Sequence, residues 1–119
     1  MQVLVIDDSA AMRMVIKKNL KALGLDNSDI KEAADGEDGY RAIHDSSPDL
    51  VVSDWNMPNM TGLELLTKLN NEDKKVKFGF VTTEASPEMR SLAMEAGARF
   101  MITKPFTEDS IQSTLKKFI

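Results

Sequence analysis

Asp7 and Asp8 follow directly on the run Val3-Leu4-Val5-Ile6, and Asp54 stands just past Leu50-Val51-Val52. Thr82 and Thr83 follow Phe78-Gly79-Phe80-Val81, and Lys104-Pro105 stand just past Phe100-Met101-Ile102. If the apolar runs are strands of one sheet, the fold carries all these polar groups to one rim. Three carboxylates, a hydroxyl and an ammonium then converge. Carboxylates gathered in this way repel one another; at ~4 Å and an effective dielectric of ~20, each pair costs about 4 kcal/mol. Lys104 offsets part of that cost. A hard divalent cation offsets more, and Mg²⁺ suits one or two carboxylates together with waters and a phosphoryl group. The chain has no Cys, and its one His, His44, lies outside these positions, which disfavours zinc or copper. Beside such a cation and Lys104, Asp54 is placed to attack a phosphoryl group and become an aspartyl phosphate. Metal and ammonium would neutralise the equatorial oxygens in the transition state, and Thr82 could donate to one of them. Neither GxxxxGKS/T nor GxGxxG occurs, so the phosphoryl donor is not expected to be a nucleotide held by this chain. Taken singly, each acid has a plainer reading as a helix cap, and Asp8-Ser9 could simply open the first helix.

The elements that would position these groups alternate along the chain. The continuous apolar runs are expected strands buried on both faces. The segment Ile30 to Ala34 is shorter and more polar, which suits an edge strand. Between the strands, Met12, Ile16, Leu20 and Leu23 recur at helical spacing, with Gly24 as the stop. Gly36 to His44 is a short helix. Leu63, Leu66 and Leu69 form another stripe, opened by Thr61 and Glu64 as a capping box. Ser86-Pro87 opens a further helix that Ala96-Gly97 ends. Ile111, Leu115 and Phe118 stripe the last one. Strand followed by helix, about five times over, predicts an α/β fold with a parallel sheet and helices on both faces. In such folds chemistry sits at the carboxyl ends of the strands, where strand order switches.

The 119 residues carry 15 Lys and Arg against 19 Asp and Glu, a net charge of −4. That length suits one domain, residues 1–119, with a core that needs no disulfides. The acidic balance argues against a nucleic-acid partner. No stretch approaches the ~20 apolar residues of a membrane span, and the N-terminus lacks the pattern of a secretory signal. A cytoplasmic protein is expected.

The segments VLVIDDSAAMR, VVSDWNMPNMTGLELL, FVTTEA and ITKPF, in this order, resemble those of response-regulator receiver domains. Within that family they are similar to the single-domain chemotaxis regulators of the CheY type. The resemblance covers essentially the whole chain. It implies a flavodoxin-like, doubly wound sheet of five parallel strands in the order 2-1-3-4-5, with about five helices. It also implies roles. Asp54 matches the phosphoacceptor. Asp7 and Asp8 match the acidic pair that holds Mg²⁺, and Asn56 matches the position whose backbone carbonyl completes the metal shell. Thr82 matches the switch hydroxyl, Lys104 the family's lysine, and Pro105 the proline that follows it through a cis bond. Asn56 and Glu84 occupy the two positions that tune phosphoryl lifetime, in a pairing that favours short-lived phosphorylation. Two departures stand out. Met101 replaces the usual aromatic switch residue, with Phe100 alternating to the opposite face. Thr83 replaces a smaller residue and would narrow access to Asp54.

The expected function is a phosphorylation-dependent switch in a two-component system, not an enzyme. A histidine kinase would supply the phosphoryl group. No output domain is expected, and the expected monomer would signal to a separate protein through its helix-four, strand-five, helix-five face, around 88–101 and 110–117. A flagellar motor switch protein or another downstream protein would dock there. The alternatives are a non-motor phosphorelay receiver, an inert receiver-like module and a Mg²⁺-dependent aspartyl-phosphate phosphatase. The last would want Asp-x-Asp, but the second position after Asp54 is Asn56. His44 is expected to be a solvated residue near a helix C-terminus. Trp55 is expected either as a partner anchor or as a rim residue packed beside the site. Met57 and Met60 are expected to be partly exposed, and Lys74 to Lys77 to form a solvated loop.

Overall fold

The computed structural model describes residues Met1–Ile119. Five strands, β1 (Val3–Ile6), β2 (Ile30–Ala33), β3 (Leu50–Ser53), β4 (Lys77–Thr82) and β5 (Met101–Thr103), alternate with five α-helices. The helices are α1 (Ala10–Ala22), α2 (Gly36–Ser46), α3 (Gly62–Asn71), α4 (Pro87–Glu95) and α5 (Glu108–Leu115). All strand pairs are parallel, in the expected order β2-β1-β3-β4-β5.

Period-two alternation divides the core into two layers. Leu4, Ile6, Val51, Phe78 and Phe80 face Ile43 of α2, Leu65, Leu66 and Leu69 of α3, and Ala93 of α4. Val3, Val5, Leu50, Val52 and Val81 face Ile16 and Leu20 of α1 and Ile111 and Leu115 of α5. Because helices cover both faces, β1 and β3 are buried at every position. Phe78 and Phe80 are wholly buried, and a side chain of that size contributes about 1.5–3 kcal/mol by leaving water. The edge strand β2 is polar at its centre, where Lys31 and Glu32 are exposed. That composition suits an edge, since charge there discourages pairing with another chain.

The helix signals act locally, as expected. Thr61 and Glu64 form the capping box of α3, each side chain accepting the other's backbone N–H at 3.1 Å. Ser86 caps α4 and Pro87 opens it. Gly24 and Gly97 sit at φ +104° and +93° just past their helices, a left-handed region that glycine adopts without steric cost.

Several expectations change. The buried face of α3 is Leu65, Leu66 and Leu69, with Leu63 only partly covered. Met57 is buried rather than partly exposed, and Trp55 is buried against Phe80 with ring centroids 4.9 Å apart. Trp55 is therefore packed beside the site and is no exposed anchor. Lys77 belongs to β4, not to a loop, and Lys74 Nζ reaches Ser47 Oγ at 3.2 Å. His44 is exposed in the last turn of α2, as expected, and it also makes a contact there. Its Nε2 lies 3.1 Å from Glu72 Oε1, and its ring meets Tyr40 edge-on. Tyr40 also donates to Glu72 at 2.5 Å, so this cluster clips α2 to the end of α3.

Candidate functional site

The site lies where the order of strands switches, beyond the carboxyl ends of β1 and β3. Its residues stand one step past their strands yet stay in the hydrogen-bond ladder. Asp7 N–H donates to Ala33 O at 3.1 Å, Asp54 N–H to Ile6 O at 2.8 Å, and Lys104 N–H to Thr82 O at 2.8 Å. The sheet thus fixes the backbone under each polar group. The start of α3 presses on the same place. Gly62 N–H donates to Trp55 O at 2.8 Å, and a Cβ at Gly62 would lie 2.3 Å from the Asp54 carbonyl. Only glycine lets the helix approach the Asp54 backbone so closely.

One carboxylate oxygen from each of Asp7, Asp8 and Asp54 lies within 4.8 Å of the others. Lys104 Nζ donates to Asp7 Oδ2 at 2.8 Å and to Asp54 Oδ2 at 3.3 Å, with its side chain 10% exposed. Asp7 is wholly buried, and its Oδ1 accepts Ser9 N–H at 2.9 Å. Asp54 is half-buried, and its Oδ1 accepts Trp55 N–H at 2.7 Å. Asp8 is exposed. It is not the cap of α1, because Ser9 Oγ accepts Met12 N–H at 3.2 Å in that role. The donor set is entirely oxygen, one ammonium stands against three acids, and Asp8 faces water. These features fit a hard divalent cation that keeps part of its hydration shell.

Thr82 is wholly buried at the end of β4, and its Oγ1 accepts Glu84 N–H at 3.3 Å. Thr83, Glu84 and Asn56 are exposed in the loops after β4 and β3. Pro105 is exposed and follows Lys104 through a cis peptide bond. Met101 is half-buried on the α4 side of the sheet, and Phe100 packs on the opposite side, as alternation requires. His44 lies in the last turn of α2, at the other end of the sheet from the acids. One contact has no counterpart in the sequence reading. Arg13 Nη1 donates to the Asp7 carbonyl at 2.6 Å, and its Nε to Glu32 Oε1 at 3.0 Å. A sequence signal for it exists only in retrospect: with Ser9 as the cap, Arg13 begins the second turn of α1, beside β2.

Burial raises the Asp54 carboxyl above its ordinary range. The charge of Lys104 lowers it, the charge of Asp7 raises it, and the Trp55 N–H lowers it; burial and Asp7 prevail. Burial also disfavours the Lys104 ammonium, but the hydrogen bond to Asp7 and the charges of Asp54 and Asp7 hold it above its usual value. A carboxyl raised in the folded state adds stability at low pH and loses it as pH rises through its folded value. Without metal, Asp54→Asn is therefore expected to melt a few degrees above the wild type at pH 7. The difference should vanish as pH falls to about 4, the ordinary Asp range. Melting curves from pH 4 to 7 check this; a mutant less stable at pH 7 would mean that the pairing with Lys104 outweighs burial.

The response regulator receiver domain family model matches residues 3–116. Chemotaxis protein CheY of Pseudomonas aeruginosa is 35% identical, over 98% of this chain and 94% of that protein. Chemotaxis protein CheY-3 of Vibrio cholerae is also 35% identical, over 98% of this chain and 90% of that protein. Among solved structures, Vibrio cholerae CheY4 superposes with a TM-score of 0.87 at 29% identity, covering 99% of this chain and 98% of that one. A CheY-like receiver domain protein from Methanospirillum hungatei superposes with a TM-score of 0.85 at 28% identity, covering 98% of this chain and 90% of that one. Strand order, the acids at the switch point and a family match along nearly the whole chain agree: the chain belongs to the response regulator receiver domains.

Proposed function

We propose that this receiver domain is a phosphorylation-dependent switch of the chemotaxis kind, with Asp54 as the phosphoacceptor. The observation that carries the reading is Lys104, whose ammonium bridges Asp7 and Asp54 beside the exposed Asp8. The donor is the phosphohistidine of a histidine kinase. A carboxylate oxygen of Asp54 forms the new O–P bond as the P–N bond to the imidazole breaks, and the electron pair leaves with the nitrogen. Asp7, Asp8, Asp54 and the backbone carbonyl of Asn56 would hold Mg²⁺, which supplies charge neutralisation for the transferring group. Lys104 pairs with one phosphoryl oxygen, and the Thr82 hydroxyl donates its hydrogen to another. Thr83, Glu84 and Asn56 border the entrance and set how readily water reaches the acyl phosphate.

The switch output passes through α4, β5 and α5. Phosphorylation adds about −1.5 to −2 charge at Asp54. Drawing Thr82 toward it vacates space beside β5, where Met101 is the residue poised to move. Met94, 65% exposed, shares a helix face with Arg90, which reaches Thr103 of β5 at 3.3 Å. A flagellar motor switch protein, or another separate target, is the partner proposed for this face.

The test is a Mg²⁺ titration followed by labelling with a small acyl phosphate. Trp55 adjoins Asp54, so the metal should change its fluorescence in the wild type, and label should appear only with the metal. Asp8→Ala is expected to abolish both responses. An unaltered titration in that mutant would remove Asp8 from the metal shell.

A further inference from the structure

Asp7 is held at every polar atom. Its N–H donates to Ala33 O at 3.1 Å, Oδ1 accepts from Ser9 at 2.9 Å, Oδ2 from Lys104 at 2.8 Å, and its carbonyl from Arg13 Nη1 at 2.6 Å. Asp8 differs, being exposed, with its carboxylate near those of Asp7 and Asp54. Its direction is inherited from the peptide that joins it to Asp7. The oxygen of that peptide is the one Arg13 holds. Rotating the peptide would swing Asp8 away from the other two acids.

Arg13 is itself aimed. Its Nε donates to Glu32 Oε1 at 3.0 Å, and Lys17 Nζ steadies Glu32 Oε2 at 3.6 Å. Glu32 belongs to β2, in register with Val5 of β1, so the brace is anchored in the sheet next to the site. The guanidinium side chain is 18% exposed. A planar fork of this kind fixes two acceptors at a set angle, which an ammonium does not.

We infer that Arg13, braced by Glu32, is a positioning residue that sets the Asp7–Asp8 peptide so that Asp8 faces the cation. This rests on the reading that Asp7, Asp8 and Asp54 hold a divalent ion. Positioning and plain electrostatics predict opposite signs. Arg13 is a cation near the acids, so by charge alone its removal would tighten metal binding. If it orients Asp8, its removal weakens binding, as loss of a group that supports a metal ligand does, by about 10-fold or more.

The experiment is a Mg²⁺ titration of the full chain, read by Trp55 fluorescence and by the rise in melting temperature that the metal produces. Arg13→Met is expected to bind about 10-fold more weakly, with a smaller metal-induced rise. Arg13→Lys, which keeps the charge but loses the fork, should fall between it and the wild type. Glu32→Gln, which leaves the fork in place but weakens its anchor, should bind more weakly than the wild type, and it decides the matter if Arg13→Met does not fold. Equal or tighter binding by Arg13→Met would overturn the inference. So would a lower melting temperature with an undiminished metal-induced rise, because that is the mark of a purely structural arginine. If Arg13→Met is unfolded, wild-type binding by Glu32→Gln overturns it. Absence of binding by the wild type would instead overturn the metal-site reading, and this inference with it.

Discussion

Asp54→Asn is expected to take no label from a small acyl phosphate in the presence of Mg²⁺, where the wild type takes up one phosphoryl group per chain. The reason is chemical rather than structural. An amide oxygen carries no full negative charge and forms no stable acyl phosphate, so nucleophilic attack on phosphorus fails. The geometry around the position should survive. Asparagine Oδ1 can still accept the Trp55 N–H now bonded at 2.7 Å, and the Asp54 backbone stays in the ladder through Ile6 O. A folded but unlabelled mutant therefore reports on the reacting carboxylate itself. Asp7 and Asp8 remain as possible acceptors in the mutant, which makes the outcome informative. Label persisting at the wild-type level would move the reaction to one of them and defeat the assignment of Asp54.

Lys104→Met should show the largest loss of stability. The substitution keeps an unbranched side chain one atom shorter and removes its charge. Asp7, wholly buried, would keep its Ser9 N–H but lose its cation, and Asp54 would lose the same partner. Breaking a buried pair from one side leaves an uncompensated charge and costs about 3–5 kcal/mol. For a domain of this size that is a fall in melting temperature of roughly 10–20 °C. Lowering the pH should narrow the gap, because burial raises the Asp54 carboxyl and it takes up its proton early, relieving one of the two charges that the lysine balances. In the wild type the pair is lost at the other extreme. The ammonium is held above its ordinary value, so its contribution is complete below about pH 10 and declines as pH rises through the folded value. Thermal melts of mutant and wild type at pH 4.5 and 7 decide it. A mutant that melts with the wild type at neutral pH would mean the bridge contributes nothing to the fold.

The two expectations for Asp54 and Lys104 are consistent. One ammonium stands against two close carboxylates and a third nearby. Removing an acid relieves that excess of negative charge, whereas removing the lysine deepens it. The same imbalance makes a divalent cation the natural complement of the site.

What the sequence determined by itself is what short-range chemistry can encode. Apolar runs at 3–6, 50–52 and 78–81 mark strands because continuous apolar surface must be covered on both faces. Thr61 with Glu64, and Ser86 with Pro87, mark helix starts because a cap is satisfied within four residues. The position of each acid, Thr82 and Lys104 at a strand end was visible for the same reason, and parallel alternation then required a common rim. Strand order came from the resemblance to a family, since periodicity does not say which strands are neighbours. Tertiary structure decided the rest. Lys104 lies closer to Asp7 than to Asp54, although 97 positions separate it from Asp7. Trp55 and Met57 are buried, Glu72 joins Tyr40 and His44 across two helices, and Arg13 reaches a carbonyl on the turn before its own helix. Each of these contacts depends on where the sheet and helix packing bring distant side chains. A one-dimensional pattern records which residues share a face, but the partner across the gap is chosen only when the faces meet.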